Sequence, residues 1–202
     1  TIDKGYLAEV SDQVRQAIQN GLLAATQMDR LVRDLLDSSR LDHDGIKLEF
    51  RETDLAQLLA DVVLTLRYEL DERGVSVRIE PLPNIQCDPW ALTKVFMNLL
   101  GNAITYSSTT RPPVLRIWAD DAGDQWHVYV CDNGIGIPEQ DRGRLFRRFE
   151  RGSNTGGISG TGLGLHIVKE IVQGHGGCVA FTSEVDTGTT FVLNLPKDPV
   201  QP

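Results

Sequence analysis

Apolar and small residues in the first forty positions recur at alternating intervals of three and four. Leu7, Val10, Val14, Ala17, Gly21, Ala24, Met28, Leu31, Leu35 and Ser38 keep that rhythm without a phase break. This spacing is the seam of a heptad helix. Ile18, Ala25 and Val32 widen the seam, which suits a helical bundle better than a thin two-stranded contact. Asn20-Gly21 carries turn chemistry, but the phase is the same on both sides, so one helix about 50 Å long is expected. Such a helix buries its stripe only against a second helix or a partner chain, and the expected assembly is a homodimer through this segment. The pattern breaks at LDHDG, residues 41–45.

From residue 46 the period changes. IKLEF (46–50) reads as a short strand and residues 54–72 as a helix with Asp54 near its start. VSVRIE (75–80) alternates, with Val75, Val77 and Ile79 on the inner face. Asp88-Pro89 is an N-cap followed by proline at the first helical position, and predicts a helix to about Tyr106. VLRIWAD (114–120) and QWHVYVCD (125–132) read as strands joined by a turn containing Gly123. Residues 162–177 read as a helix ended by glycine. CVAFTSE and TTFVLNLP are two last strands with a turn at Gly188. The predicted class is α+β: a two-layer α/β sandwich, antiparallel strands on one side and helices on the other, preceded by a long bundle or coiled-coil helix. The expected division is a dimerisation helix at 1–44, a catalytic domain at 45–197 and a tail at 198–202.

Charge narrows the function classes. The 202 residues carry a net charge of −8, which argues against a general binder of nucleic acid or membranes. No apolar run approaches the ~18 residues of a membrane span, so the chain is expected in the cytoplasm, even if the intact protein is anchored. Cys87, Cys131 and Cys178 are far apart in apolar surroundings and lack metal-ligand spacing; reduced core thiols are expected.

Three features carry chemistry. Asn98, Asn102 and Thr105 fall on one stripe of the 88–106 helix, beside the apolar stripe of Leu92, Val95, Phe96, Leu99 and Ala103. Two carboxamides one turn apart can offer neutral oxygens to a hard cation such as Mg²⁺, whose other positions go to water and phosphate; a merely solvated face is the alternative. RGSNTGGISGTGLGLHIV (151–168) ends at a helix start, where Gly160, Gly162 and Gly164 leave backbone N–H groups bare for an anion, most naturally phosphate. It is neither a P-loop nor a dinucleotide-binding glycine pattern. Arg142, Arg144, Arg147, Arg148 and Arg151 make the preceding segment locally basic, as in a mobile lid over phosphate or an ordinary charged loop. In VYVCDNGIGIPEQ (128–140), Asp132 ends a strand and Gly134 and Gly136 follow. A carboxylate there can accept from an exocyclic amine such as adenine's, and the glycines let the loop approach a base.

VFMNLLGNAITYS, DNGIGIP, LFRRFERG, GTGLGLHIVK and GTTFVLNLP resemble, in order and spacing, the N box, first glycine box, F box, second glycine box and last glycine box of sensor histidine kinases. The resemblance is to their ATP-binding catalytic domain, a Bergerat-type fold of the GHKL superfamily, and it covers about residues 46–196. MDRLVRDLLDSSRLD is similar to the second helix of the family's dimerisation bundle. The resemblance implies ATP and Mg²⁺, with Asn102 as the main metal ligand and Asn98 beside it. It implies Tyr106 against the adenine, where plain core packing is the alternative, and Asp132 on the amino group. Gly134, Gly136 and Ile137 would line the base pocket. Arg151 and the backbone of Gly160, Thr161, Gly162, Leu163, Gly164 and Leu165 would hold phosphates, and Thr189 would support Asp132. The implied partner is the receiver domain of a response regulator. Hydrolases of the superfamily carry a glutamate general base at the position of Asn98; asparagine cannot take that proton, which favours phosphoryl transfer. Thr105 departs from a frequent lysine, which weakens phosphate contact unless a nearby arginine substitutes.

No acceptor histidine is evident. His43 lies at the helix end, His127 in a strand, and His166 and His175 in the second glycine-box helix and its end. YLAEVSDQVRQAI (6–18) is similar to the acceptor box with Asp12 in place of histidine. Only about 15 residues separate Asp12 from MDRLV, too few for a long helical hairpin. The expectation is an acceptor helix upstream of this chain. The alternative function is a nucleotide-responsive pseudokinase or regulatory protein-binding module.

Overall fold

The computed structural model describes residues 48–156, 158 and 160–199, together with isolated positions of the N-terminal segment. Those positions, among them Val14, Ile18, Gly21, Ala25 and Met28, are helical and exposed. Gly21 in helical state accords with a helix running through it. The rest of the predicted 1–44 helix, with Asp12 and His43, lies outside the described residues, as does the 200–202 end of the predicted tail.

The continuous described part begins with β1 (Arg51–Asp54), α1 (Leu55–Thr65) and α2 (Arg67–Glu72). β2 (Ser76–Ile79), β3 (Asn84–Cys87) and α3 (Pro89–Thr105) follow. Then come β4 (Val114–Asp121), β5 (Gln125–Asp132), a 3-10 turn (Glu139–Arg144), α4 (Gly164–Gly174), β6 (Cys178–Glu184) and β7 (Gly188–Pro196). β2, β4, β5, β7 and β6 form one sheet in that order, and β1 pairs with β3 in a separate ribbon. The architecture is mixed α/β, a five-stranded sheet packed against helices, as the sequence predicted.

Alternating positions explain the layers. Leu115 and Ile117 of β4, Val128 and Val130 of β5 and Phe191, Leu193 and Leu195 of β7 are buried. They face Leu92, Val95, Phe96, Leu99 and Leu100 of α3 and Ile167, Val168, Ile171 and Val172 of α4 within one core. Asp88 caps α3 as predicted: its Oδ1 accepts from the Ala91 N–H at 2.9 Å, while Oδ2 accepts from the Glu49 N–H. Buried His175 joins the helix ends. Its Nε2 accepts from the Asp88 N–H at 3.0 Å and its Nδ1–H donates to the Ile171 carbonyl.

Several local expectations are corrected. The 54–72 helix is broken at Leu66, where the Thr65 hydroxyl donates to the Asp61 carbonyl at 2.9 Å and competes with the helical ladder. Residues 48–50 are not a strand; pairing starts at Arg51, and Phe50 packs edge-on against the His175 ring. β3 was not predicted, because four residues following Pro81 and Pro83 give too short a pattern. β2 runs parallel to β4, not antiparallel, since α3 lies between them as the crossover. The final hairpin turns at Val185–Thr187, with Gly188 already in β7. Cys87 is buried, but Cys178 is exposed on the edge strand β6 and is no core thiol.

Candidate functional site

The cleft opens between α3, the loop after β5, the 139–163 segment and the start of α4. Its cavity holds about 110 Å³. Asp132 stands at its floor because β5 is in register there with Thr189 of β7. The carboxylate accepts from the Gly134 N–H at 2.8 Å. Burial is the largest influence on it and raises its pKa to about 6; N–H groups of Gly134 and Thr189 and the Arg111 charge oppose that rise. Thr189 is itself buried, its hydroxyl 2.8 Å from the Ser183 hydroxyl, which also accepts from the Ile137 N–H.

The loop after β5 is held from behind. Ile135 N–H donates to the Tyr106 carbonyl and Asp186 N–H to the Ile135 carbonyl, both at 3.0 Å. Gly136 has φ +69°, and a Cβ there would collide with the Glu184 carbonyl, so this position requires glycine.

The 139–163 segment folds about one buried carboxylate. Asp141 accepts from the Ser153 N–H (2.6 Å), the Ser153 hydroxyl (2.8 Å) and Arg144 Nη2 (2.6 Å). The Ser153 N–H, then Arg144 and the Ser153 hydroxyl, lower its pKa to about 2. Asn154 ties the segment to the base loop by donating to the Gly136 carbonyl at 2.9 Å. Phe149 N–H donates to the Gly162 carbonyl at 3.0 Å.

Of the residues singled out in the sequence, Asn102, Thr105, Tyr106, Asp132, Gly136, Ile137, Arg151, Gly160, Thr161, Gly162, Gly164, Leu165 and Thr189 line this cavity. Asn98 does not: its amide donates to the Lys94 carbonyl at 3.0 Å, and its oxygen faces Gly164. Gly134 lies behind the wall, and Leu163 is buried in the core. Ile135, Leu145, Glu150, Asn154, Thr155 and Phe191 join the lining unannounced. Ile135 and Phe191 had a signal, since each alternates with a residue already chosen. Asn154 and Thr155 had none, because loop residues reach the cavity through tertiary bonds alone.

The polar lining suits a phosphorylated ligand. Arg151 Nε is buried without an acceptor. Its Nη2 donates to the Ile158 carbonyl, which anchors the guanidinium while Nε is left for another acceptor. Asn102 lines the cavity from the last turn of α3, where its backbone carbonyl accepts from the Tyr106 N–H at 2.8 Å. A single carboxamide oxygen is a weak ligand for a free cation but an adequate one for Mg²⁺ already carried by phosphates. Among the described residues no cluster of His, Cys, Asp or Glu could hold a metal ion. No described helix is long and apolar enough to cross a membrane.

The family model for histidine kinase-, DNA gyrase B- and HSP90-like ATPases matches residues 87–199, more than half of the chain. The chain belongs to this family. Among curated proteins, the chain is 29% identical over 195 residues to phytochrome-like protein Cph1 of Synechocystis, covering 96% of this chain and 26% of that protein. It is 31% identical over 183 residues to the circadian input-output histidine kinase CikA of Synechococcus elongatus, covering 85% and 24%. The chain thus spans about a quarter of the length of these relatives. The catalytic domain of histidine kinase ThkA superposes with TM-score 0.65 at 26% identity, over 75% of this chain and 100% of that one. The same fold recurs in full-length ShkA in complex with AMPPNP (TM-score 0.75, 24% identity, 96% of this chain and 42% of that one). It recurs also in ThkA in complex with the response regulator TrrA (TM-score 0.70, 23% identity, 98% and 54%).

Proposed function

We propose that this chain is the phosphoryl-donor portion of a two-component sensor histidine kinase, binding Mg²⁺-ATP in the cleft. One observation carries the proposal. A half-buried carboxylate, Asp132, and an arginine with an unpaired buried donor, Arg151, line one cavity. That pairing fits a ligand with an amine at one end and phosphate at the other.

Asp132 accepts the adenine amino group, Tyr106 and Ile137 flank the ring, and Gly136 lets the loop approach it. Arg151 and the backbone of 160–165 bind phosphate oxygens. Asn102 holds the metal, with Asn98 behind it. Mg²⁺ held there would supply charge neutralisation to the nucleotide's phosphates. A histidine nitrogen of the acceptor helix attacks the γ-phosphorus. The P–N bond forms as the bond to the β,γ-bridging oxygen breaks, and ADP leaves. The protein's contribution is position and charge complementarity, since Asn98 offers no general base to water. The phosphoryl group then passes to an aspartate of a response-regulator receiver domain, and the N-terminal helix dimerises the chain in the cytoplasm.

The test pairs calorimetric titration of Mg²⁺-ATP with uptake of label from γ-labelled ATP. The wild-type chain is expected to bind. Asp132→Asn is expected to bind about 10- to 100-fold more weakly, the worth of a hydrogen bond to a charged group. Acid-labile label should appear on a histidine-bearing bundle helix supplied in trans. Binding with no transfer to any such helix would instead favour the regulatory module. A folded chain that binds no nucleotide would overturn the proposal.

A further inference from the structure

One arginine outside the cavity grips the loop that carries its floor. Arg111 lies in the connection between α3 and β4, half-buried, and does not line the cleft. All three of its guanidinium nitrogens donate to backbone carbonyls. Nε reaches Asn133 O at 2.8 Å, Nη2 reaches Gly134 O at 2.7 Å and Nη1 reaches Asp186 O at 2.5 Å. The first two belong to the loop after β5 and the third to the β6–β7 turn, so one side chain joins segments fifty residues apart in sequence.

The same loop is stitched to the Arg111 connection from the other direction. Asn133 Oδ1 accepts from the Val114 N–H at 2.8 Å, and its Nδ2 donates to the Pro112 carbonyl at 2.9 Å. Asn133 thus fixes the loop to the start of β4, while Arg111 fixes it to the turn beyond. Asp132 stands at one end of this clamped stretch and Gly136 at the other. A planar fork with donors in fixed directions sets the height of both carbonyls at once, which a lysine ammonium cannot do.

We propose that Arg111 is a positioning residue for the base-reading loop, setting nucleobase affinity and selectivity without touching the nucleotide. This rests on the nucleotide reading of the cleft. The guanidinium holds the Asn133–Gly134 peptides, and these fix where the Asp132 carboxylate and the Gly136 backbone meet the base. The phosphate end of the cleft is built from other segments and does not depend on it.

The test uses the full chain and three probes in Mg²⁺: ATP, GTP and inorganic tripolyphosphate. Wild type is compared with Arg111→Lys, which keeps the charge and loses the fork, and Arg111→Gln, which loses both. Both variants are expected to bind ATP at least about 10-fold more weakly, the effect of losing charge-assisted bonds, with a smaller ATP-to-GTP preference. Tripolyphosphate affinity should stay at the wild-type value. Where Arg111→Gln fails to fold, Arg111→Lys carries the comparison. The inference is overturned if Arg111→Lys keeps both ATP affinity and base preference. It is equally overturned if tripolyphosphate and ATP affinities fall together, the mark of a merely structural residue. A folded wild-type chain that binds tripolyphosphate but shows no added affinity for ATP would overturn the base-site reading first, and this inference with it.

Discussion

Asp132 sets function against stability at a single side chain. Its pKa is raised in the folded protein, so the folded state holds the proton more tightly than the unfolded chain does. That contribution is present below the unfolded value near 3.8 and is lost as pH rises through about 6. Above pH 6 the buried charge costs about 3 kcal/mol. Asp132→Asn should therefore melt no lower than wild type at pH 8 without nucleotide, and is expected to melt higher. A clear loss of thermal stability would show that the carboxylate supports the fold. Binding has the opposite sign, because an acceptor is needed. The affinity for adenosine, which has no phosphate to titrate, should hold steady above pH 7 and fall below about 6 in calorimetric titrations. Asp132 itself was legible in the sequence because a polar residue ended a strand otherwise apolar in alternation. Arg111 was not legible, since nothing local distinguishes TTRPP from any polar connection. Its role exists only once three distant carbonyls converge.

At the scale of elements, the Asn98 carboxamide of α3 fills the space beside Gly164 at the start of α4. A Cβ there would lie 2.5 Å from Asn98 Oδ1. Gly164→Ala should push the Asn98 carboxamide off the Lys94 carbonyl, lower stability by about 1 kcal/mol in urea titrations, and disturb the cleft wall. An unchanged midpoint would mean that Asn98 swings aside freely. The opposite ends of these helices are joined by His175, whose ring must stay neutral at Nε2 to accept from Asp88. Burial lowers its pKa below the usual 6.5 despite the nearby Asp88 carboxylate. The folded state thus resists a proton that the unfolded chain accepts. Stability from this source is full above pH 6.5 and declines as pH falls below it. Asp132 titrates in an overlapping window with the contrary sign. The measurement is accordingly the difference in stability between wild type and His175→Asn from pH 8 to 5, which should shrink on acidification. Elements with strong periodicity were legible here: β5 and β6 fall at the residues their alternation marked, and α3 begins at its proline. The break at Leu66 was not, because a threonine turned back on its own helix leaves no proline or glycine behind.

Across the whole molecule, the core runs without interruption from α1 through α3 and α4 to the large sheet, and includes Ile85 and Cys87 of the β1–β3 ribbon. The ribbon and the sheet should therefore not unfold separately. Residues 48–199 are expected to melt in one calorimetric transition whose measured and van't Hoff enthalpies agree. Two resolved transitions would show that the ribbon and α1 form a unit of their own. None of the described histidines stands as an acceptor at the cleft mouth. His127 lies within β5, His166 accepts from Arg148 and donates to the Phe146 carbonyl, and His175 is locked between helices.

The parallel pairing of β2 with β4 also orders the birth of the domain. A ribosome releases α3 before any strand of the β4–β5–β7–β6 array exists to cover it. Its apolar face, with Phe96, Leu99 and Leu100, is completed only when β5 and, some seventy residues after Leu100, α4 have followed. A nascent chain in that condition is a natural client for chaperones, and slow decoding beyond residue 105 lengthens the exposure. The helix that frames the cleft is thus made early and sheltered late.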